Sequence, residues 1–158
     1  MSPGTSTGSS SPLQSVVQPS VQPRESLSTF VTRTDQIDKQ TNKIRHTRLM
    51  PRRKNKEKEG RLETSVCRSQ ALSESQVWTI CSAHFDAYAP VRAIGRGVGP
   101  ARVVFEVNLD LDADGKPYPE HANIVGWYDS VGKPDNELKH FWMGKAQAMA
   151  PSFKYLPR

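Results

Sequence analysis

The strictest alternation of apolar and polar residues in the chain lies in ARVVFEVNL, residues 101–109. Its odd-numbered positions are all apolar, and three of the four positions between them are polar or charged. Because successive side chains of a strand point to opposite faces, this pattern predicts a strand with one buried face. The preceding VRAI predicts a further short strand, and GRGVGP, residues 95–100, predicts the turn that connects the two.

The segment before this pattern predicts a strand followed by a helix. RLETSVC, residues 61–67, alternates in the same way and predicts a strand. In LSESQVWTICSAHF, residues 72–85, the spacing of Ser73 and Gln76 is that of a capping box, which predicts a helix beginning at this point.

The segments after the pattern predict one more strand and one more helix. HANIVGW, residues 121–127, predicts a strand, and Pro134 with Asp135 predicts the start of a final helix that ends near Pro151. Strands and helices in this order predict an α+β domain, with a small mixed or antiparallel sheet and two helices.

The beginning of the chain has a different composition. Residues 2–23 contain no charged residue and consist mostly of Ser, Pro, Gln, Thr and Gly. Such a segment buries too little apolar surface to offset the entropy of ordering, so disorder is expected there. The predicted layout is a disordered or weakly ordered region over residues 1–42, a basic arm over 43–60 and a folded domain over 61–158.

Positive charge is concentrated in one segment. Residues 43–58 hold eight basic residues and one acidic residue, whereas the whole chain has a net charge of +6. Clustered Lys and Arg neutralise phosphates and release counterions, which favours binding of RNA or DNA without sequence readout. A solvated basic linker is the alternative interpretation. The residues predicted to bind nucleic acid are Lys43, Arg45, Arg48, Arg52, Arg53, Lys54, Lys56 and Lys58.

A second candidate site centres on His121. If HANIVGW is a strand, His121 and Asn123 share one face, one pleat apart. A histidine beside an amide can act as a general base or bind a phosphate, so these two are the candidate catalytic residues. Arg68 and Arg96 are the candidate anion-binding residues, and Asn123 or Glu120 would orient the imidazole. The alternative is a histidine that hydrogen-bonds the backbone at the start of the strand.

The metal-binding patterns in the chain are incomplete. DLDADG, residues 110–115, matches the opening of a calcium loop, but His121 stands where the closing Glu is required. Cys81 and His84 have C-x-x-H spacing without a second pair of ligands, and both fall on the apolar face of the predicted helix. No metal or cofactor is therefore predicted. Two cysteines and the lack of a long apolar stretch predict a cytoplasmic protein that does not enter a membrane.

Four segments resemble small bacterial proteins that have no assigned activity. They are RHTRLMPRR, ETSVCRS, LSESQVW and PEHANIVGW, and the resemblance covers about half of the chain. It implies one intracellular module and assigns no catalytic or binding residue.

The sequence thus supports three functional hypotheses. The first is an intracellular accessory protein that engages nucleic acid or a ribonucleoprotein through the basic arm. The second is an enzyme that acts on a phosphate-bearing substrate, such as a nucleotide or RNA, at His121. The third is a protein-binding adaptor or inhibitor that uses exposed aromatic residues such as Trp142 and Tyr155.

Overall fold

A computed structural model describes residues 20–53, 61–88, 90–128 and 133–158 of the chain. Within these ranges the protein has the predicted α+β fold, with one large antiparallel sheet and two longer helices. The disorder predicted for residues 1–19 falls outside the described residues. In the described ranges, no helix combines the length and the apolar character that crossing a bilayer requires.

Nine strands and three α-helices make up the described part of the fold. The helices are α1 (Glu74–Cys81), which continues as a π-helical turn over Ser82–Asp86, α2 (Arg102–Glu106) and α3 (Asp135–Met149). Short 3-10 turns occupy Thr34–Gln36, His46–Arg48 and Ala150–Ser152. The strands are β1 (Ser26–Val31), β2 (Ile37–Asp38), β3 (Lys43–Ile44), β4 (Arg52–Arg53), β5 (Leu62–Arg68), β6 (Gly95–Pro100), β7 (Asp110–Asp112), β8 (His121–Val125) and β9 (Lys154–Pro157).

The described strands pair in the order β2-β3-β9-β6-β1-β5-β8-β7, and every pair is antiparallel. β1 pairs along its whole length with β6, from Ser26 opposite Pro100 to Val31 opposite Gly95. β4 lies off this path and pairs with the beginning of β5. The first strand of the chain is therefore central in the sheet.

One face of the sheet carries the main hydrophobic core. Strand alternation places Leu27, Val31, Val66, Ala122 and Ile124 on this face, and all five are buried. Each fully buried aliphatic side chain of this size contributes roughly 1.5–3 kcal/mol. The helical residues that complete this core are Leu138, Trp142, Ala146 and Met149 of α3 and Val103 and Val104 of α2.

The opposite face is partly polar and only partly covered. α1 packs Val77 and Cys81 in a smaller cluster that also contains Phe30 and Cys67. A buried polar group costs free energy unless it is hydrogen-bonded, so polar side chains gathered on one sheet face point to a site rather than to a core. The buried polar residues on this face are Ser28, Glu63, Arg96, His121 and Asn123.

The alternating segment 101–109 does not form the predicted strand. Arg102–Glu106 form α2, and β7 begins only at Asp110. The neighbours Val103 and Val104 are both buried, which one helical turn allows and a strand with a single buried face does not. Asn108, with φ of +61°, ends the turn in the left-handed region. Packing against the core therefore overrides the strand propensity of this segment.

The predicted turn GRGVGP is the strand β6, and the predicted strand VRAI is irregular. Glycine is a weak strand former, but here it lets other backbone approach closely. A Cβ built at Gly99 would lie 2.8 Å from the Ser152 carbonyl oxygen and 2.8 Å from Cγ of Phe153. The space that the missing side chains leave is thus occupied by the end of the chain.

The folded unit begins earlier than the sequence predicts. Residues 24–42, expected to be weakly ordered, contain β1 and β2, and Leu27 and Val31 are completely buried. Residues 43–53 contribute β3, a 3-10 turn and β4, so this part of the basic segment belongs to the fold and is not an arm. A central strand is buried on both faces and shows no alternation, which explains why β1 escapes a pattern search.

The remaining predicted elements are confirmed. RLETSVC gives β5, the first five residues of HANIVGW give β8, and α3 begins at Asp135. The capping box of α1 is present, with the Gln76 N–H donating to Ser73 Oγ at 3.1 Å and the Ser73 N–H donating to Gln76 Oε1 at 2.8 Å.

Candidate active site

An opening in the sheet between β1 and β5 shapes the candidate site. β1 pairs with β5 only at Leu27 and Ser28, and β4 takes the same edge of β5 at its other end. The chain around the 3-10 turn His46–Arg48 lies at this opening, where Arg48 Nε donates to the carbonyl oxygen of Phe30. The separated strands therefore expose their polar face to a cleft.

The cleft has a volume of about 720 Å³, which lies within the roughly 300–1,000 Å³ typical of small-ligand sites. β1, β5 and β8 contribute its floor, and the end of α1 with the residues that follow contributes one wall. Pro117 and Tyr118, just before β8, contribute another part of the lining. Among the polar and titratable residues that line the cleft are Arg33, Arg48, Arg52, Glu63, Ser65, Cys67, His84 and His121.

The imidazole of His121 is oriented by the carboxylate of Asp114. Its Nδ1 lies 2.7 Å from Oδ1 of Asp114, and Asn123 Nδ2 donates to the other oxygen of Asp114 at 3.0 Å. An ionised carboxylate only accepts hydrogen bonds, so Nδ1 of His121 carries a proton, and Nε2 has the lone pair when the imidazole is neutral. An imidazole held in this way suits general acid–base catalysis.

The geometry of β8 explains why these groups meet. Strand alternation puts His121 and Asn123 on the cleft face, as the sequence predicts, opposite Cys67 and Ser65 of β5. The hairpin loop between β7 and β8 then returns Asp114 to the same face. Sequence reasoning does not identify Asp114 as the partner, because an Asp-Gly pair signals a turn without showing where its carboxylate points.

His84 is a second imidazole on the cleft wall. Its ring centroid lies 5.0 Å from that of Tyr118, and the Tyr118 centroid lies 5.4 Å from that of His121. His84 belongs to the π-helical turn Ser82–Asp86, an arrangement that is rare and is often found at functional sites. The sequence assigned His84 to the apolar face of a regular helix, whereas the π turn directs it to the cleft lining.

Arg48 is a cation without a carboxylate partner. In the part of the chain that the structure describes, no Asp or Glu oxygen lies within 4.0 Å of its guanidinium nitrogens. Burial, together with the smaller effect of the neighbouring charge of Arg52, lowers the pKa of Arg48 to about 10. The group still carries its charge at neutral pH. Two adjacent cations, one of them half-buried, favour an anion in the cleft.

The thiol in the cleft is a poor nucleophile. Burial raises the pKa of Cys67 to about 12, and the charge of Glu120 also raises it. Burial likewise raises the pKa of the Tyr118 phenol. Because the thiolate is the reactive form, Cys67 is unreactive at neutral pH. Cys81, the last residue of α1, is also a buried free thiol, and burial raises its pKa to about 12.

The two arginines predicted to bind an anion are already paired with carboxylates. Arg68 donates from Nε and Nη2 to the two oxygens of Glu25 at 3.0 and 2.9 Å. Arg96 donates to Glu74 at 2.7 Å and to Ser28 Oγ at 2.6 Å. Neither residue lines the cleft. These contacts argue against the predicted anion site and favour Arg48 and Arg52 in its place.

The residue expected to orient His121 also differs from the prediction. Asn123 hydrogen-bonds Asp114, not the imidazole itself. The backbone carbonyl of Glu120 accepts a hydrogen bond from the Arg68 N–H at 2.7 Å. The orienting contact comes instead from Asp114, which lies in the loop between β7 and β8, seven residues before His121.

The predicted nucleic-acid-binding residues occupy several different environments. Lys43 lies on β3 opposite Lys154 of β9, and Arg45 Nε donates to the Ile37 carbonyl at 3.1 Å. Arg48 and Arg52 line the cleft, and Arg53 lies in β4. Lys54, Lys56 and Lys58 fall outside the described residues. Binding of RNA or DNA by this segment stays a prediction.

The aromatic residues predicted to bind a protein partner are not free on the surface. Trp142 is only 5% exposed, and its indole N–H donates to the Tyr128 carbonyl at 2.8 Å. Tyr155 is half-buried, and its hydroxyl donates to the Ile94 carbonyl at 3.2 Å. Both side chains serve the fold, so the adaptor hypothesis loses the two residues on which it was based.

No protein-family model, curated protein or solved structure matches this chain. The resemblance to small bacterial proteins and the cytoplasmic location therefore stay predictions.

Proposed function

We propose that the protein is an enzyme that acts on a phosphate-bearing substrate in the cleft, with His121 as its general acid–base group. The observation that supports this proposal is that His121, oriented by Asp114, lines the same cleft as Arg48, a guanidinium with no carboxylate partner among the described residues. The first can transfer a proton, and the second can hold a phosphoryl group. Together they meet the two requirements of metal-free phosphoryl chemistry.

Each group has a distinct role in this proposal. Asp114 is a positioning residue that fixes the imidazole tautomer and stabilises the imidazolium formed when His121 takes a proton at Nε2. Arg48 and Arg52 bind phosphate oxygens, which guanidinium groups match with paired N–H donors. Because Arg48 is tethered through Nε to the Phe30 carbonyl, its other nitrogens are held in place before the substrate binds.

The test is an activity screen with a panel of phosphate monoesters and diesters. The wild-type chain is compared with His121→Ala and with His140→Ala, which removes an exposed histidine of α3 that does not line the cleft. We expect turnover by the wild type and by His140→Ala, and a loss of about 10²–10⁴-fold in His121→Ala. Thermal unfolding of all three proteins checks that they remain folded.

Two outcomes would count against the proposal. One is a wild-type chain that turns over no ester in the panel. The other is turnover that His121→Ala and His140→Ala reduce equally, since the activity would then not depend on the cleft histidine.

A further inference from the structure

The proposed function leaves His84 without a role, although it lines the same cleft. Its ring and that of His121 both contact Tyr118, so their centroids are at most about 10.4 Å apart, the sum of the two centroid separations of 5.0 and 5.4 Å. Because both rings lie within this limit and line one cleft, they can act on one phosphate group, one at the attacking oxygen and one at the leaving oxygen. Imidazole is the side chain that both accepts and donates protons near neutral pH.

Cys67 and Ser65, two side chains of the cleft, are poorly suited to act as the nucleophile. The Cys67 thiol is protonated, as its raised pKa requires. The Ser65 hydroxyl donates to Asn123 Oδ1 at 3.4 Å, so it is engaged by that amide. A hydroxyl carried by the substrate next to the phosphate avoids this difficulty, because an intramolecular attack gains a large effective concentration. In nucleic acids, only RNA has such a hydroxyl, at the 2′ position.

The rest of the lining suits nucleotide bases. Phe85 and Tyr88 line the same cleft as Arg48 and Arg52, whereas Phe30, which packs against Phe85, is buried. Tyr88 is 83% exposed at the rim, an unusual position for an aromatic side chain without a ligand. Aromatic side chains beside cations are the recurring platform for single-stranded nucleic acid, in which bases stack and phosphates pair with arginine.

We infer that the cleft cleaves single-stranded RNA by internal transphosphorylation, with His121 as the base and His84 as the acid; this rests on the proposed function. His121 Nε2 accepts the proton of the 2′-hydroxyl, and the 2′-oxygen bonds to phosphorus. The bond from phosphorus to the 5′-oxygen breaks, and His84 gives its proton to that oxygen. The products are a 2′,3′-cyclic phosphate and a 5′-hydroxyl end. Exchange of protons with water then restores both imidazoles.

The test uses the full chain and three substrates: an oligoribonucleotide containing all sixteen dinucleotide steps, its all-deoxy counterpart and p-nitrophenyl phosphate. We expect cleavage of the ribonucleotide only, with cyclic phosphate ends identified by mass spectrometry. His84→Ala and His84→Gln should each lower the rate by about 10²–10⁴-fold. His140→Ala, which alters an exposed histidine outside the cleft lining, should cleave at the wild-type rate.

The outcomes separate this inference from the proposed function. Cleavage of DNA and RNA at equal rates, or turnover of p-nitrophenyl phosphate alone, would overturn the RNA mechanism and leave the phosphate-acting enzyme standing. If His84→Ala and His84→Gln are both folded and cleave RNA at the wild-type rate, His84 is not the acid. Turnover of none of the three substrates would overturn the inference, and failure across the wider ester panel would overturn the proposed function as well.

Discussion

At the scale of single residues, Asp114 decides what His121 can do. A neutral histidine has two tautomers, and the 2.7 Å contact between Asp114 Oδ1 and His121 Nδ1 selects the one whose Nε2 is a base. The same carboxylate accepts from Asn123 at 3.0 Å, so its own position is fixed. The site is therefore a three-residue hydrogen-bonded unit in which only the imidazole lines the cleft.

We expect Asp114→Asn to lower kcat by about 10²–10⁴-fold, because an amide can select the wrong tautomer and cannot stabilise the imidazolium. KM should change little, since the phosphate is bound by Arg48 and Arg52. Steady-state kinetics on the best substrate from the ester panel measure both constants.

The matched control for this prediction is Asp112→Asn. Asp112 pairs with Arg61 at 2.8 Å, and among the described residues it forms no hydrogen bond or ion pair with His121. A higher KM with an unchanged kcat in Asp114→Asn would contradict the positioning role. An equal loss of kcat in both variants would also contradict it.

Sequence reasoning reached part of this site and missed the rest for physical reasons. His121 and Asn123 were identifiable because strand alternation fixes which residues share a face. Asp114 was not, because the direction of a side chain in a loop depends on the path of the whole hairpin. Arg48 was recognised as basic but not as a cleft residue, since its position depends on the opening between β1 and β5.

At the scale of elements, β6 shows how backbone contact can outweigh propensity. Its glycines would be poor choices for an isolated strand, yet each faces atoms of another segment at close range. The segment 101–109 shows the reverse, because an alternating pattern forms a helical turn when the core can take both of its valines. The predictions of a turn at residues 95–100 and a strand at residues 101–109 are both wrong, because packing partners distant in sequence decide the local conformation.

Two glycine substitutions should have opposite effects on stability. Gly99→Ala should lower the free energy of unfolding by about 1–3 kcal/mol, because its Cβ would meet Phe153 and the Ser152 carbonyl oxygen at 2.8 Å. Gly144→Ala should raise it by about 0.5–1 kcal/mol, because Gly144 is helical and a Cβ there meets no atom within 4 Å. Urea unfolding of both variants measures the two changes.

A wild-type stability for Gly99→Ala would show that β9 and the preceding turn do not lie against β6 as described. A loss of stability in Gly144→Ala would contradict the open space around Gly144 on the surface of α3.

At the scale of the whole molecule, carboxylates tie separate parts of the chain to the sheet. Glu74 of α1 accepts from Arg96 of β6, and the hydrogen bonds from Arg96 and then Trp78 lower the pKa of Glu74 below its ordinary value of 4.5. For Asp86, burial raises the pKa, but the Ala93 N–H and Arg158 outweigh it and lower the pKa overall. Both carboxylates therefore favour the folded state when they are ionised.

The protein should lose stability in acid. Each of these groups binds a proton more readily in the unfolded chain, so their contribution is complete above the unfolded pKa and is lost as the pH falls through the folded pKa. The free energy of unfolding in urea should therefore decline from about pH 5 downward. Glu74→Gln should make this decline shallower, and an unchanged slope in that variant would contradict the role of the Glu74–Arg96 pair.

The N-terminal boundary of the folded unit was not predictable from composition. The unit from residue 61 onward was expected to fold by itself, yet β1 lies between β5 and β6 in the middle of the sheet. A polar, non-alternating segment such as SLSTFV gives no sequence signal of that position. The fold class was still predictable, because β5, α1, β8 and α3 each carry their own local signals.

The central claim is that a phosphate group meets His121 in the cleft. The four histidines of the chain allow a direct measurement, because His84 and His121 line the cleft and His46 and His140 do not. Side-chain ¹H–¹⁵N spectra recorded at constant pH during titration with inorganic phosphate should shift the resonances of His84 and His121 along one binding curve and leave the other two in place. Shifts confined to His46 or His140, or no shift of His121 at saturation, would contradict the account.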